Sequence, residues 1–184
     1  MGTLSYAGWR RHVPLAAGGL GLAAAAGVMV YKAPDPVRAG LGLAYLGLLV
    51  LMAVYDLRTL RVPNRLVFPA MGFTLGTAAL LGPTAAFQAV GGWLMAGVIL
   101  LAVAVAGRGA MGFGDVKVGA VCGAVVGLAG VIPMLAATFV AGGAFAGILL
   151  ALRVRRPKDV VAFTPFLVGA TIFTLAYYRL YLWG

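Results

Sequence analysis

The chain has 184 residues, of which 63% are hydrophobic and only 10% charged, with a mean hydropathy of +1.05. No soluble domain of this size can bury that much apolar surface, so the composition is that of a polytopic membrane protein. The net charge of +10, from 14 Lys and Arg against four acids, sits in short segments between apolar runs. It speaks for membrane orientation and contact with anionic lipids, and against nucleic-acid binding.

A helix that crosses a bilayer needs about 20 apolar residues. Seven runs are candidates, at about 13–31, 38–56, 66–82, 86–107, 116–130, 132–152 and 162–182. The expectation is an all-α membrane protein, a polytopic bundle of about seven transmembrane helices, in a single domain over 1–184. No linker, charge block, low-complexity tail or internal repeat divides it. The first run follows Arg10 and Arg11 and has two readings, a signal peptide or a retained helix. Its length, the lack of a convincing cleavage site and its end at Tyr31-Lys32-Ala33-Pro34 favour retention. The fifth run is short, and its break between Gly130 and Pro133 is loosely marked. Small residues four apart, Gly72 with Gly76 and then Gly119, Gly123 and Gly127, predict close helix packing.

With the N-terminus inside, only Lys32, Arg38 and Arg179 fall on the outer side, which leaves eleven of the 14 basic residues on the inner one. That bias predicts an N-terminus in the cytoplasm and a C-terminus outside. Asp56 and Asp115 then lie on the same, cytoplasmic, side.

The inventory of reactive groups is short. Cys122 is the single cysteine and lies in an apolar run, so neither a disulfide framework nor a cysteine zinc site is expected. His12 is the single histidine and Ser5 the single serine, which excludes a His-dependent triad and a multi-histidine metal site. No cofactor and no metal are expected. There is no Glu. Asp35 reads as part of a turn in Ala33-Pro34-Asp35-Pro36, and Asp159 as part of a solvated loop after Arg153, Arg155, Arg156 and Lys158. The two remaining acids stand at helix ends, and an acid at membrane depth is functional by default because it is costly there.

Asp56 ends the second run and leads into a basic loop, Leu57 to Arg65. Pro63 cannot continue a helix and keeps Val62 extended. Alone, Asp56 reads equally as a salt bridge to Arg58 or Arg61 at the headgroups. Asp115 follows Gly112-Phe113-Gly114, and alone it reads as the N-cap of the fifth helix. Those two glycines let backbone approach another chain or take positive φ. As a pair the acids can do chemistry. Two carboxyl groups across a shared water cannot both ionise cheaply, so one keeps a proton and the site holds an acid and a base at one pH. The base takes a proton from water, the water attacks an amide carbon, and the acid protonates the departing nitrogen.

These stretches resemble the type IV prepilin peptidase family, relatives of the glycine-x-glycine-aspartate intramembrane proteases. Asp56-Leu57-Arg58 through Val62-Pro63-Asn64 is similar to the family's first motif, and Gly112-Phe113-Gly114-Asp115-Val116-Lys117 to its second. Ala162-Phe163-Thr164-Pro165-Phe166-Leu167 is similar to its late proline-phenylalanine segment. The likeness covers about 38–182. It implies an aspartic endopeptidase of the inner (plasma) membrane, with its active site facing the cytoplasm. Its partner would be a prepilin or pseudopilin precursor, whose basic leader it removes, and a homo-oligomer is compatible with it. Asp56 and Asp115 would be the catalytic pair, and Gly112 and Gly114 would shape the loop near the scissile bond. Arg58, Pro63, Asn64 and Lys117 match motif positions with no role attached. Longer bacterial enzymes carry a cytoplasmic insert with paired cysteines and methylate the new N-terminus. This chain has only Cys122 and no room for the insert, which implies a peptidase without methyltransferase activity.

Tyr55-Asp56 with Gly112 to Asp115 also resembles presenilin and signal-peptide-peptidase proteins, but those carry Pro-Ala-Leu where this chain has Thr164-Pro165-Phe166. A small ion-coupled transporter using the two aspartates, and a scaffold in which Asp115 merely caps a helix, are the alternatives from other classes. A transporter's acids would stand at mid-helix among broken helices.

Overall fold

The computed structural model describes residues 25–28, 30–31, 33–107, 111–152, 162–177 and 183. Most of the first apolar run lies outside them, as do His12, Asp159 and the basic residues Arg10, Arg11, Lys32, Arg108, Arg153, Arg155, Arg156, Lys158 and Arg179. Among the described residues all regular structure is helical. The helices are α1 (Pro36–Thr59), α2 (Asn64–Leu81), α3 (Pro83–Ala106), α4 (Phe113–Val126), α5 (Val131–Ala151) and α6 (Thr164–Tyr177), with a 3₁₀ turn at Leu128–Gly130 ahead of α5.

Local chemistry sets the boundaries. Asp35 is the N-cap of α1 rather than a plain turn residue. Its carboxylate accepts from the Arg38 N–H at 2.7 Å and pairs with Arg38 Nε at 3.6 Å, while Pro36 opens the helix. Pro63, in extended backbone, starts α2, and Pro83 starts α3. Gly127 takes φ 73, a left-handed value that costs glycine least, and ends α4.

Three helical stretches, Pro36–Thr59, Pro83–Ala106 and Leu128–Ile148, are long and apolar enough to cross a membrane, and α6 is apolar but shorter. Large apolar side chains such as Leu94, Val98 and Val105 on α3 and Val140 on α5 are exposed, as lipid-facing residues would be. In contrast, α4 is a core element. Ten of its fourteen residues are buried, as expected of a helix that is apolar all round. At about 21 Å it is shorter than the roughly 30 Å hydrocarbon core of a bilayer. The expected fifth run at 116–130 is therefore a short helix displaced to 113–126, because Gly127 turns the chain before the run ends.

The closest packing is between α3 and α4. A Cβ on Gly92 would overlap the Gly123 carbonyl oxygen, one on Gly123 would overlap that of Gly92, and one on Gly119 would overlap Leu100. The small-residue expectation holds there and fails on α2, where a Cβ on Gly72 or Gly76 would meet nothing. The side of α2 that is buried carries Val67, Ala70, Thr74 and Ala78, and the two glycines lie away from it. Near the carboxyl end of α4, Trp183 donates from Nε1 to the Ala124 carbonyl at 2.8 Å and meets the Tyr45 ring edge-on at 5.7 Å.

Candidate active site

At the opposite end of the bundle, the last turn of α1 meets the first turns of α2, α4 and α6. Residues from these helix ends line a cavity of about 400 Å³, among them Asp56, Arg61, Asn64, Asp115, Lys117 and Phe163.

Asp56 lies in the last turn of α1. Its carbonyl accepts from the Leu60 N–H at 2.7 Å, and Leu60, left-handed at φ 54 and ψ 27, stops the helix there. The Thr59 hydroxyl donates to the carbonyls of Tyr55 (2.9 Å) and Arg61 (2.7 Å) and ties the start of the loop down. The Asp56 side chain points inward and is only 4% exposed. Its Oδ2 accepts from the main-chain N–H of Thr164 at 3.2 Å. Thr164 is the first residue of α6, and a helix amino end is where a carboxylate is most at home.

Asp115 is the third residue of α4, not its cap. Gly112 is the cap, and the Asp115 N–H returns to the Gly112 carbonyl at 3.1 Å. Asp115 stands in the opening turn, ahead of the apolar run that begins at Val116 and outside the three spanning stretches. Its Oδ1 accepts from the Thr164 hydroxyl at 3.4 Å. Burial, and then the nearby Asp56 charge, push its carboxyl up from 3.8 to about 6, while hydrogen bonds from Thr164 and the Gly112 backbone pull it down. An acid that keeps its proton this close to neutrality, beside a second acid, is the arrangement that amide hydrolysis by two carboxyl groups requires.

Neither Gly112 nor Gly114 takes the positive φ that a glycine allows. Gly112 has φ −74 and ψ 144, open to any residue, and Gly114 is already helical. A Cβ on Gly112 would stand 3.4 Å from Asp115 Oδ2, and one on Gly114 would meet nothing. Both positions line the cavity, so the missing side chains leave room beside the acid.

Lys117 and Asn64 gain a shared role. Lys117 Nζ donates to Asn64 Oδ1 at 3.0 Å and lies 5.6 Å from the Phe68 ring centre, joining α4 to the start of α2. Pro63 serves as the start of α2. Arg58 is exposed on the last turn of α1 and takes no part in the cavity wall. The structure thus brings together Asp56, Asn64, Gly112, Gly114, Asp115 and Lys117, and leaves Arg58 aside. Among the described residues no three His, Cys, Asp or Glu side chains come together as a metal-binding group.

Thr164 is the residue that motif reading passed over, although the segment around it resembles a family motif. Its signal was local: a threonine directly before Pro165 at the head of an apolar run is a helix start, and helix starts hold anions.

A model described as the type IV leader peptidase family matches residues 43–148. The match takes in both aspartates and the Asn64 and Lys117 positions, and ends before Thr164. Comparison with the curated proteins and with the solved structures gave no match.

Proposed function

The chain belongs to the type IV leader peptidase family, a family of proteases whose model matches more than half of its length, and from this we propose that it is a two-aspartate endopeptidase. It removes the basic leader from type IV prepilin-like precursors, just before the precursor's apolar helix, at the cytoplasmic face of the inner membrane. One carboxyl group of the Asp56–Asp115 pair takes a proton from water, and the other protonates the departing nitrogen. The observation that carries the reading is that both aspartates line one cavity and contact the same residue, Thr164.

Charge supports the cytoplasmic assignment. Arg58, Arg61, Arg65 and Lys117 stand at the cavity end of the bundle, and Arg38 stands at the other end of α1. With a single cysteine in the sequence, the chain cleaves without methylating the product.

The test is cleavage of a precursor that has a short basic leader ahead of an apolar helix, by the full chain in lipid vesicles. Asp56→Asn and Asp115→Asn should each lower cleavage by about 10²–10⁴-fold, the usual worth of a positioned acid or base, and each should still insert and fold. Normal processing by either variant would remove the dyad.

A further inference from the structure

We propose that Thr164 is the positioning residue of the aspartate pair, its main-chain N–H fixing the orientation of Asp56, the base, and its hydroxyl orienting the carboxyl of Asp115, the proton donor. The inference rests on the peptidase reading of this site.

The two contacts are chemically different. Thr164 is fully buried, so each of its polar groups depends on a protein partner. Its N–H is one of the unpaired donors of a helix's first turn, and it is aimed at Asp56 Oδ2. A main-chain donor on a packed fourteen-residue helix cannot turn away. It keeps Asp56 in one orientation through the whole reaction, and the helix amino end favours negative charge there. The hydroxyl that meets Asp115 Oδ1 is a rotor which can either donate or accept. It can follow Asp115 as that carboxyl loses and regains a proton. The fixed donor therefore serves the group that takes the proton, and the adaptable one serves the group that gives its proton up and later regains it.

The step balances on this assignment. Asp56 takes a proton from water as the water oxygen bonds to the amide carbon. Asp115 gives its proton to the nitrogen as the carbon–nitrogen bond breaks. The products are a carboxyl group and an amine, and one water is consumed. Proton exchange with solvent then resets both acids.

The charged groups that share the cavity wall with Asp115, among the described residues, are Asp56 from α1, Arg61 from the α1–α2 connection and Lys117 from its own helix. Among the described residues α2 presents Asn64, the segment leading into α6 presents Ala162 and Phe163, and α3 and α5 give nothing to the wall; Thr164 reaches the two acids from behind that wall.

Thr164→Ser and Thr164→Val test this, each read by cleavage across pH and by infrared titration of the Asp115 carboxyl, assigned by difference from Asp115→Asn. Thr164→Ser should match the wild type in both. Thr164→Val should cleave at least about tenfold more slowly, the worth of one hydrogen bond to a charged group. With the donor that favours ionised Asp115 gone, the alkaline limb of its profile and the infrared midpoint should both move to higher pH. If Thr164→Val does not fold, Thr164→Ala takes its place with the same expectations. A wild-type midpoint in the Val or Ala variant, or a Ser variant as impaired as Val, would overturn the proposal. If the wild-type chain cleaves no precursor, the peptidase reading fails, and the infrared midpoint still decides whether Thr164 governs Asp115.

Discussion

The two ends of α4 use the same residue types in opposite ways. At the carboxyl end, Gly123 lies against the backbone of Gly92, so closely that neither could carry a side chain. There the indole N–H of Trp183 finds a carbonyl, and the region is apolar and closed. At the amino end, Gly114 faces open space, Gly112 leaves room beside a carboxylate, and the neighbours are Asp56, Asn64 and Lys117. One end of a single helix holds the bundle together and the other leaves it open for chemistry. Substitutions at the closed end should therefore cost stability, and those at the open end activity.

The largest expected effect is at the closed end. Gly123→Val drives a branched side chain into the Gly92 carbonyl and Ala96. Overpacking costs about 1–3 kcal/mol, and more where the obstacle is backbone, so folded protein should be lost from the membrane. Gly114→Ala, at the open end, should melt like the wild type in detergent. Equal melting of the Val variant and the wild type would mean that the two backbones do not meet.

The next effect concerns the charge of the open end. The folded chain holds the Asp115 proton up to about 6, against an ordinary 3.8. Between those values it binds more protons than the unfolded chain, so stability falls as pH rises through the window. The contribution is complete below 3.8 and lost above about 6. Asp115→Asn has no such dependence. The variant and the wild type should melt alike near about pH 4, and the variant should be the more stable above about pH 6. A difference that stays constant with pH would contradict the burial of this acid.

The smallest effect is at the rim. The Lys117–Asn64 contact joins α4 to α2 between largely solvated groups. A double-mutant cycle with Lys117→Met and Asn64→Ala should give a coupling of about 0.5–1.5 kcal/mol. Additive losses would show that the two residues act separately.

Much of this was legible in the chain. Apolar runs between prolines, glycines and basic residues mark α1, α2, α3 and α5 to within a few residues, because length, hydropathy and capping chemistry are local properties. The two aspartates stood out because the chain has so few acids, and helix alternation alone brings the last turn of α1 and the first turn of α4 to one side. What reading the chain could not supply was which helix ends touch. That α4 is sheathed by other helices, that Gly92 faces Gly123 while Gly72 faces nothing, that Lys117 reaches Asn64, and that Thr164 stands between the two acids all follow from the packing of segments far apart in the chain. Local sequence sets where a helix starts and stops, whereas its neighbours are chosen by the fit of whole surfaces, and only the assembled bundle decides that.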